Sequence, residues 1–168
     1  MKISVCKSEI RGRARAPSSK SYTIRGLMCA ALAKGESEII HPLSADDTES
    51  AINVLSKVGV SIRQEEDLWR IRGGDFHEPD TDLFCGESAA TLRFMTAICS
   101  LISGKCRLTS TPALSRRPIK PLLQALRQLG VDCIYQDDSS VVVNGGSLKC
   151  GMVELPGNVS SQFVSALL

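Results

Sequence analysis

Leu55-Ser56-Lys57-Val58-Gly59-Val60 returns 71 positions later as Leu126-Arg127-Gln128-Leu129-Gly130-Val131, and this correspondence sets the fold class. In both copies a helical apolar period stops at a glycine and an alternating run follows. A second pair of anchors lies upstream, where Thr23-Ile24-Arg25 returns 68 positions later as Thr91-Leu92-Arg93. Working outward, alternation predicts strands over 2–6 and 9–16, with Gly12 a candidate bulge. A helix from about Ser19 ends at the basic turn Lys34-Gly35, and a strand spans 37–40. Asp46-Asp47-Thr48 opens the next helix, which ends at Lys57-Val58-Gly59. Strands over 60–64 and 68–72 close at Gly73-Gly74. The order then repeats. A strand over 83–85 precedes a helix opened by Gly86-Glu87-Ser88 and running to about Ser103-Gly104. A strand over 105–109 leads to a helix opened by Arg116-Arg117-Pro118, with proline at its first position. Strands over 131–135 and 140–143 end at Gly145-Gly146. A third copy begins with a strand over 152–155 and Pro156–Gln162, and stops at Leu168 inside a helix. The class is α/β, built from βαβαββ units of about 70 residues, with the third unit truncated. The unpaired apolar face at that end reads as part of a longer protein.

Within this frame, Pro17-Ser18-Ser19-Lys20-Ser21-Tyr22-Thr23-Ile24-Arg25 opens the first helix with unusual charge. A helix N-terminus favours acidic side chains, yet no acid lies between Glu9 and Glu36. Ser21 and Arg25 share a helical face, with Lys20 beside them. Free N–H groups, a helix dipole and cations together suit a phosphate or carboxylate; a solvated basic helix end is the plainer alternative. The second copy shows the same bias. No acid lies between Glu87 and Asp132, whereas Arg93, Lys105, Arg107, Arg116, Arg117, Lys120 and Arg127 do; acids gather at 46–49, 65–67, 75–82 and 137–138. Converging helix starts would make one end of the domain attract anions. Asp46-Asp47 serves equally well as an ordinary helix cap, and Arg116-Arg117 as a surface pair.

Composition excludes several classes. Hydrophobic residues make up 43% and charged residues 23% of the chain, and the net charge is +2. Aromatic residues are only 4%, which leaves little for stacking nucleic-acid bases. The seven cysteines are odd in number and form no C-x-x-C pair, so they read as buried small hydrophobes in a reducing cytosol. His41 and His77 stand apart, no metal site is readable, and no P-loop or dinucleotide fingerprint occurs. The first residues show no signal or transit pattern, and no apolar run reaches membrane-spanning length. The reading is a cytoplasmic chain with no cofactor, no nucleic acid and no membrane partner.

Four segments resemble one family in order. Residues 17–25 resemble the P-G-S-K-S-x-x-x-R signature of 5-enolpyruvylshikimate-3-phosphate synthases, and Gly86–Arg93 resembles their G-N-[AS]-G-T-x-x-R segment. Arg117-Pro118-Ile119-Lys120-Pro121-Leu122 is similar to R-P-[IM]-x-P-L, and Ser160-Ser161-Gln162-Phe163 to S-S-Q-[FY]. The resemblance implies transfer of the enolpyruvyl group of phosphoenolpyruvate to the 5-hydroxyl of shikimate 3-phosphate, through a tetrahedral addition intermediate, with release of phosphate. It implies a pseudo-threefold, inside-out α/β barrel domain with helices inside and sheets outside. Residues 1–15 would be strands belonging to a missing second domain. Residues 16–168 would form an incomplete first domain, with units at about 16–74, 82–146 and 151–168.

Carried over by position, Ser21 and Arg25 would hold shikimate 3-phosphate, completed by Ser160, Ser161 and Gln162. Lys20 would contact both substrates, Arg117 would clamp phosphoenolpyruvate, and Asp47 matches an acid near the active site; Lys20 and Asp47 are the candidate catalytic residues of this chain. Further acid, Lys and Arg residues come from the second domain in relatives, so the chain alone is expected not to turn over. Two departures stand out: Glu87 replaces the usual Asn, and Ala89 the usual Gly beside phosphoenolpyruvate. The extra methyl of Ala89 is expected to reduce sensitivity to glyphosate. The related UDP-N-acetylglucosamine enolpyruvyl transferases share the fold class, but their K-N signature and reactive-cysteine loop are not seen. A substrate-binding half domain without turnover is the competing reading for this chain. A basic RNA-binding module is disfavoured by the missing GXXG loop and RNP motif.

Overall fold

A computed structural model of the chain describes residues 2–7, 9, 11–136 and 139–168. The first unit comprises α1 (Lys20–Leu32), β1 (Gly35–Ile40), α2 (Asp46–Lys57), β2 (Ser61–Gln64) and β3 (Leu68–Gly73). Its three strands form an antiparallel sheet in the order β1-β3-β2. The second unit comprises β4 (Leu83–Phe84), α3 (Ala89–Cys99), β5 (Gly104–Thr109), α4 (Pro112–Ser115), α5 (Lys120–Gln128), β6 (Asp132–Tyr135) and β7 (Val141–Gly145). Its sheet runs β4-β5-β7-β6, with β4 parallel to β5 and the other pairs antiparallel. A last helix, α6 (Ser161–Leu167), belongs to the third unit.

The two sheets pair corresponding glycines. Gly35 pairs with Gly73 in the first, and Gly104 with Gly145 in the second. Glycine is required where each sheet crosses the end of its helix. A Cβ on Gly73 would collide with the carbonyl oxygen of Ala31, and one on Gly145 with those of Cys99 and Ile102. The helices supply the core. Ile24, Leu27 and Ala31 of α1, Leu55 of α2, and Met95 and Cys99 of α3 are fully covered. α3 packs against α1, α2 and α6 on its helical sides and against β5 and β7 outside. β7 is covered on both faces over Val141, Val142 and Val143, whereas in β3 and β5 one face is buried, at Trp69 and Ile71 and at Cys106 and Leu108. That alternation leaves Arg70, Arg72 and Glu38 on the outer face.

Five local expectations are corrected. Residues 2–7, 9 and 11–16 carry neither strand nor helix and are exposed, because alternation without a ladder partner holds no strand; Met1, Ser8 and Ile10 of that stretch lie outside the described residues, as do the acids at 137–138. The expected strand over 152–155 also fails to form. Its backbone is bonded instead by one side chain, Gln128, which donates to Glu154 O at 3.3 Å and accepts from Glu154 N at 3.0 Å. α1 stops at Leu32, two residues before Lys34, and Gly35 turns the chain into β1 with φ 93°. α3 ends at Cys99 rather than near Ser103. Pro118 does not open α5: it holds Arg117 out of helical geometry, Ile119 is the cap, and Pro121 lies in the first turn. The short α4 was not expected.

Candidate active site

The first helix of each unit starts on a serine. Ser19 Oγ accepts from Tyr22 N at 3.4 Å, Ser88 Oγ from Thr91 N at 3.3 Å, and Ser160 Oγ from Gln162 N at 3.3 Å. None of these three helices has an acid in its first turn, whereas α2 has Asp46, Asp47 and Glu49. Their positive dipole ends are therefore left without an acidic partner in their own first turns.

Side chains link these starts. Lys20, the first residue of α1, pairs with Asp47 of α2 at 2.6 Å. Thr23 fixes the approach, donating to Ser19 O and accepting from Leu43 N, both at 3.0 Å. The Asp47 carbonyl in turn accepts a long 3.5 Å bond from Thr91 of α3. Two residues further along α3, Arg93 is buried, 7% exposed. Its guanidinium donates to Gln162 Oε1 at 2.6 Å, to Ser160 Oγ at 3.2 Å and to Pro118 O at 2.8 Å. It also lies 4.9 Å from the centre of the Phe163 ring, a desolvated cation–π contact. Burial and, next, the charge of Arg117 lower the pKa of Arg93. The first contact network joins motif one to α2 and α3; the second joins α3 to motifs three and four.

Of the nine residues singled out in the sequence, Lys20, Asp47, Ser160 and Gln162 enter these networks. Arg25 lies one helical turn from Ser21, bonds to its carbonyl at 3.4 Å, and sits 5.2 Å from the Phe94 ring centre. Ser21, Tyr22 and Arg25 line a shallow cavity of about 320 Å³. Ser161 is exposed at the start of α6, and Ala89 is buried at the start of α3. Arg117 is exposed, and no hydrogen bond or ion pair joins its side chain to another described residue. The Glu87 side chain is exposed. Among the described residues no cluster of three or more His, Cys, Asp and Glu side chains could hold a metal ion.

Arg93 is the residue that sequence reasoning undervalued. Its signal was present, since it is the repeat counterpart of Arg25 and closes the second motif. Capped, acid-free helix starts with cations beside them can bind and orient a multiply charged anion.

Comparison with known proteins agrees with this chemistry. Residues 6–168 match the sequence model of a family described as EPSP synthase (3-phosphoshikimate 1-carboxyvinyltransferase). The 3-phosphoshikimate 1-carboxyvinyltransferase of Dehalococcoides mccartyi is 50% identical over 170 residues, covering 100% of this chain and 40% of the relative. That of Methanothermobacter thermautotrophicus is 41% identical over 174 residues, covering 100% and 41%. The solved EPSP synthase of Acinetobacter baumannii superposes with a TM-score of 0.84 at 25% identity, over 94% of this chain and 37% of that one. The chain thus spans about two fifths of the length of these relatives. No helix among the described residues is long and apolar enough to cross a membrane.

Proposed function

Because this chain belongs to the EPSP synthase family, we propose that it is the first-domain part of a cytoplasmic 3-phosphoshikimate 1-carboxyvinyltransferase. The parent enzyme would move the enolpyruvyl group of phosphoenolpyruvate to the 5-hydroxyl of shikimate 3-phosphate and release phosphate. The observation that carries this reading is the bridging of separate sequence motifs by Lys20–Asp47 and by Arg93 with Ser160, Gln162 and Pro118. Residues far apart in sequence are held together around helix starts that favour anions.

In this reading Ser21, Arg25, Ser160, Ser161 and Gln162 hold shikimate 3-phosphate, Lys20 contacts both substrates, and Arg117 receives phosphoenolpyruvate. Asp47 acts through Lys20, which it holds at 2.6 Å, rather than as an acid or base itself. The hydroxyl oxygen bonds to the enol carbon as its own proton leaves and the methylene carbon gains one. The resulting methyl then gives up a proton as the C–O bond to phosphate breaks and the enol ether forms. Lys20 and Arg117 would stabilise the charge on the phosphate and carboxylate during these steps. The proton-transfer groups are assigned to the missing second domain, whose closure would also exclude water. Residues 1–15 are assigned to that domain, in line with the exposure of their described members.

The test is phosphate release from shikimate 3-phosphate and phosphoenolpyruvate. The full-length protein carrying this segment should turn over, and the 168-residue chain alone should not. Turnover by the short chain, or none by the long one, would contradict the proposal.

A further inference from the structure

Arg93 is the only charged side chain among the described residues that is buried, and its chemistry constrains its neighbours. A guanidinium has five N–H donors and no acceptor. Any group bonded to it must therefore turn a lone pair inward. Gln162 presents Oε1 to Arg93 at 2.6 Å, so its Nε2 and two N–H bonds face the other way. Ser160 Oγ accepts from Arg93 at 3.2 Å and from Gln162 N at 3.3 Å. Both of its lone pairs are then used, and the hydroxyl proton is left to donate outward. No other described side chain or carbonyl accepts from Gln162 Nε2 or from the Ser160 hydroxyl. Phe163 covers one face of the guanidinium, and the Pro118 carbonyl fixes a further corner at 2.8 Å. The guanidinium thus has little freedom to release its two partners.

Resting on the function proposed above, we infer that Arg93 is a positioning residue. It sets the polarity of Ser160 and Gln162 so that both present only donors to the phosphorylated substrate. Without it, the Gln162 amide is free to flip, and a flipped amide points a carbonyl at the phosphate. Lysine cannot replace it, since one ammonium centre does not span acceptors on α6 and at Pro118 with a planar fork.

The test uses the full-length protein, with calorimetric titration of shikimate 3-phosphate, thermal melting, and NMR of the Gln162 side-chain amide. Gln162→Glu should keep its Tm, since Arg93 retains an acceptor, yet bind at least thirtyfold more weakly because an oxygen now faces the anion. Gln162→Met should lower the Tm and weaken binding about tenfold. Arg93→Lys should also weaken binding about tenfold, but no more than twofold further in the Gln162→Met background. The Gln162 amide resonance should shift on ligand addition in the unsubstituted protein and not in Arg93→Lys. Independent, multiplying effects of the two substitutions would overturn the inference, as would Gln162→Glu binding as tightly as the unsubstituted protein. Should Arg93→Lys fail to fold, the contrast between Gln162→Glu and Gln162→Met decides alone. No binding by the unsubstituted protein would overturn the functional reading, and this inference with it.

Discussion

Adding one methyl group at Gly145 is expected to destabilise the chain by about 2–4 kcal/mol, and at Gly73 by a similar amount. At Gly145 the new Cβ would overlap the carbonyl oxygens of Cys99 and Ile102, which are backbone atoms at the end of α3 and cannot rotate away. Relief requires β7 and the helix end to separate, and overpacking of this kind costs about 1–3 kcal/mol. The separation also strains the bond that ties sheet to helix, Gly146 N to Ser100 O at 2.9 Å, which contributes about 1 kcal/mol. At Gly73 the obstacle is Ala31 O, which already accepts from Gly74 N at 2.9 Å. Gly157→Ala is the control, because a Cβ there meets nothing within 4 Å, and should stay within about 0.5 kcal/mol. Urea unfolding of the three variants gives the answer. Costs below about 1 kcal/mol at both repeat positions would refute the view that the sheets are pressed against their helix ends.

Three further outcomes are expected. Asp47→Ala should raise the KM for phosphoenolpyruvate about tenfold by releasing Lys20. It should change stability by less than about 1 kcal/mol, since the pair is partly exposed; an unchanged KM would remove Asp47 from the site. Ala89→Gly in the full-length protein should increase glyphosate sensitivity, measured as a fall in its inhibition constant, and no change would sink the steric argument. Burial pushes the Cys85 thiol up to about 12 from 9.0, so the folded state favours the neutral form. That stability is complete below pH 9 and is lost as pH rises towards 12. The urea midpoint should therefore fall between pH 8 and pH 11, by less in Cys85→Val than in the unsubstituted chain.

The repeat was legible because the same physical problem is solved twice. The helix ends at Gly59 and Gly130 both have positive φ, and glycine is the residue that takes that conformation without strain. A strand with an apolar face over a helix, such as β3, followed directly from alternation. What alternation could not reveal was whether a partner edge exists, so the described members of 2–6 and 9–16, and residues 152–155, form no strand. The start of α5 was misplaced because two prolines compete, and only Pro121 lies where its missing N–H is harmless. At the site, Lys20, Ser160 and Gln162 were visible through local motifs. The role of Arg93 was not, because its partners lie 25, 67 and 69 positions away.

Arg25 gives the most direct test of the proposed substrate site. Shikimate 3-phosphate should be titrated calorimetrically into the full-length protein and its Arg25→Ala variant. A charge-assisted bond to phosphate contributes about 1.5–3 kcal/mol, so the variant should bind roughly 10- to 150-fold more weakly, with its fold intact. Equal affinity in the two proteins would show that the phosphorylated substrate does not bind at this end of the helices.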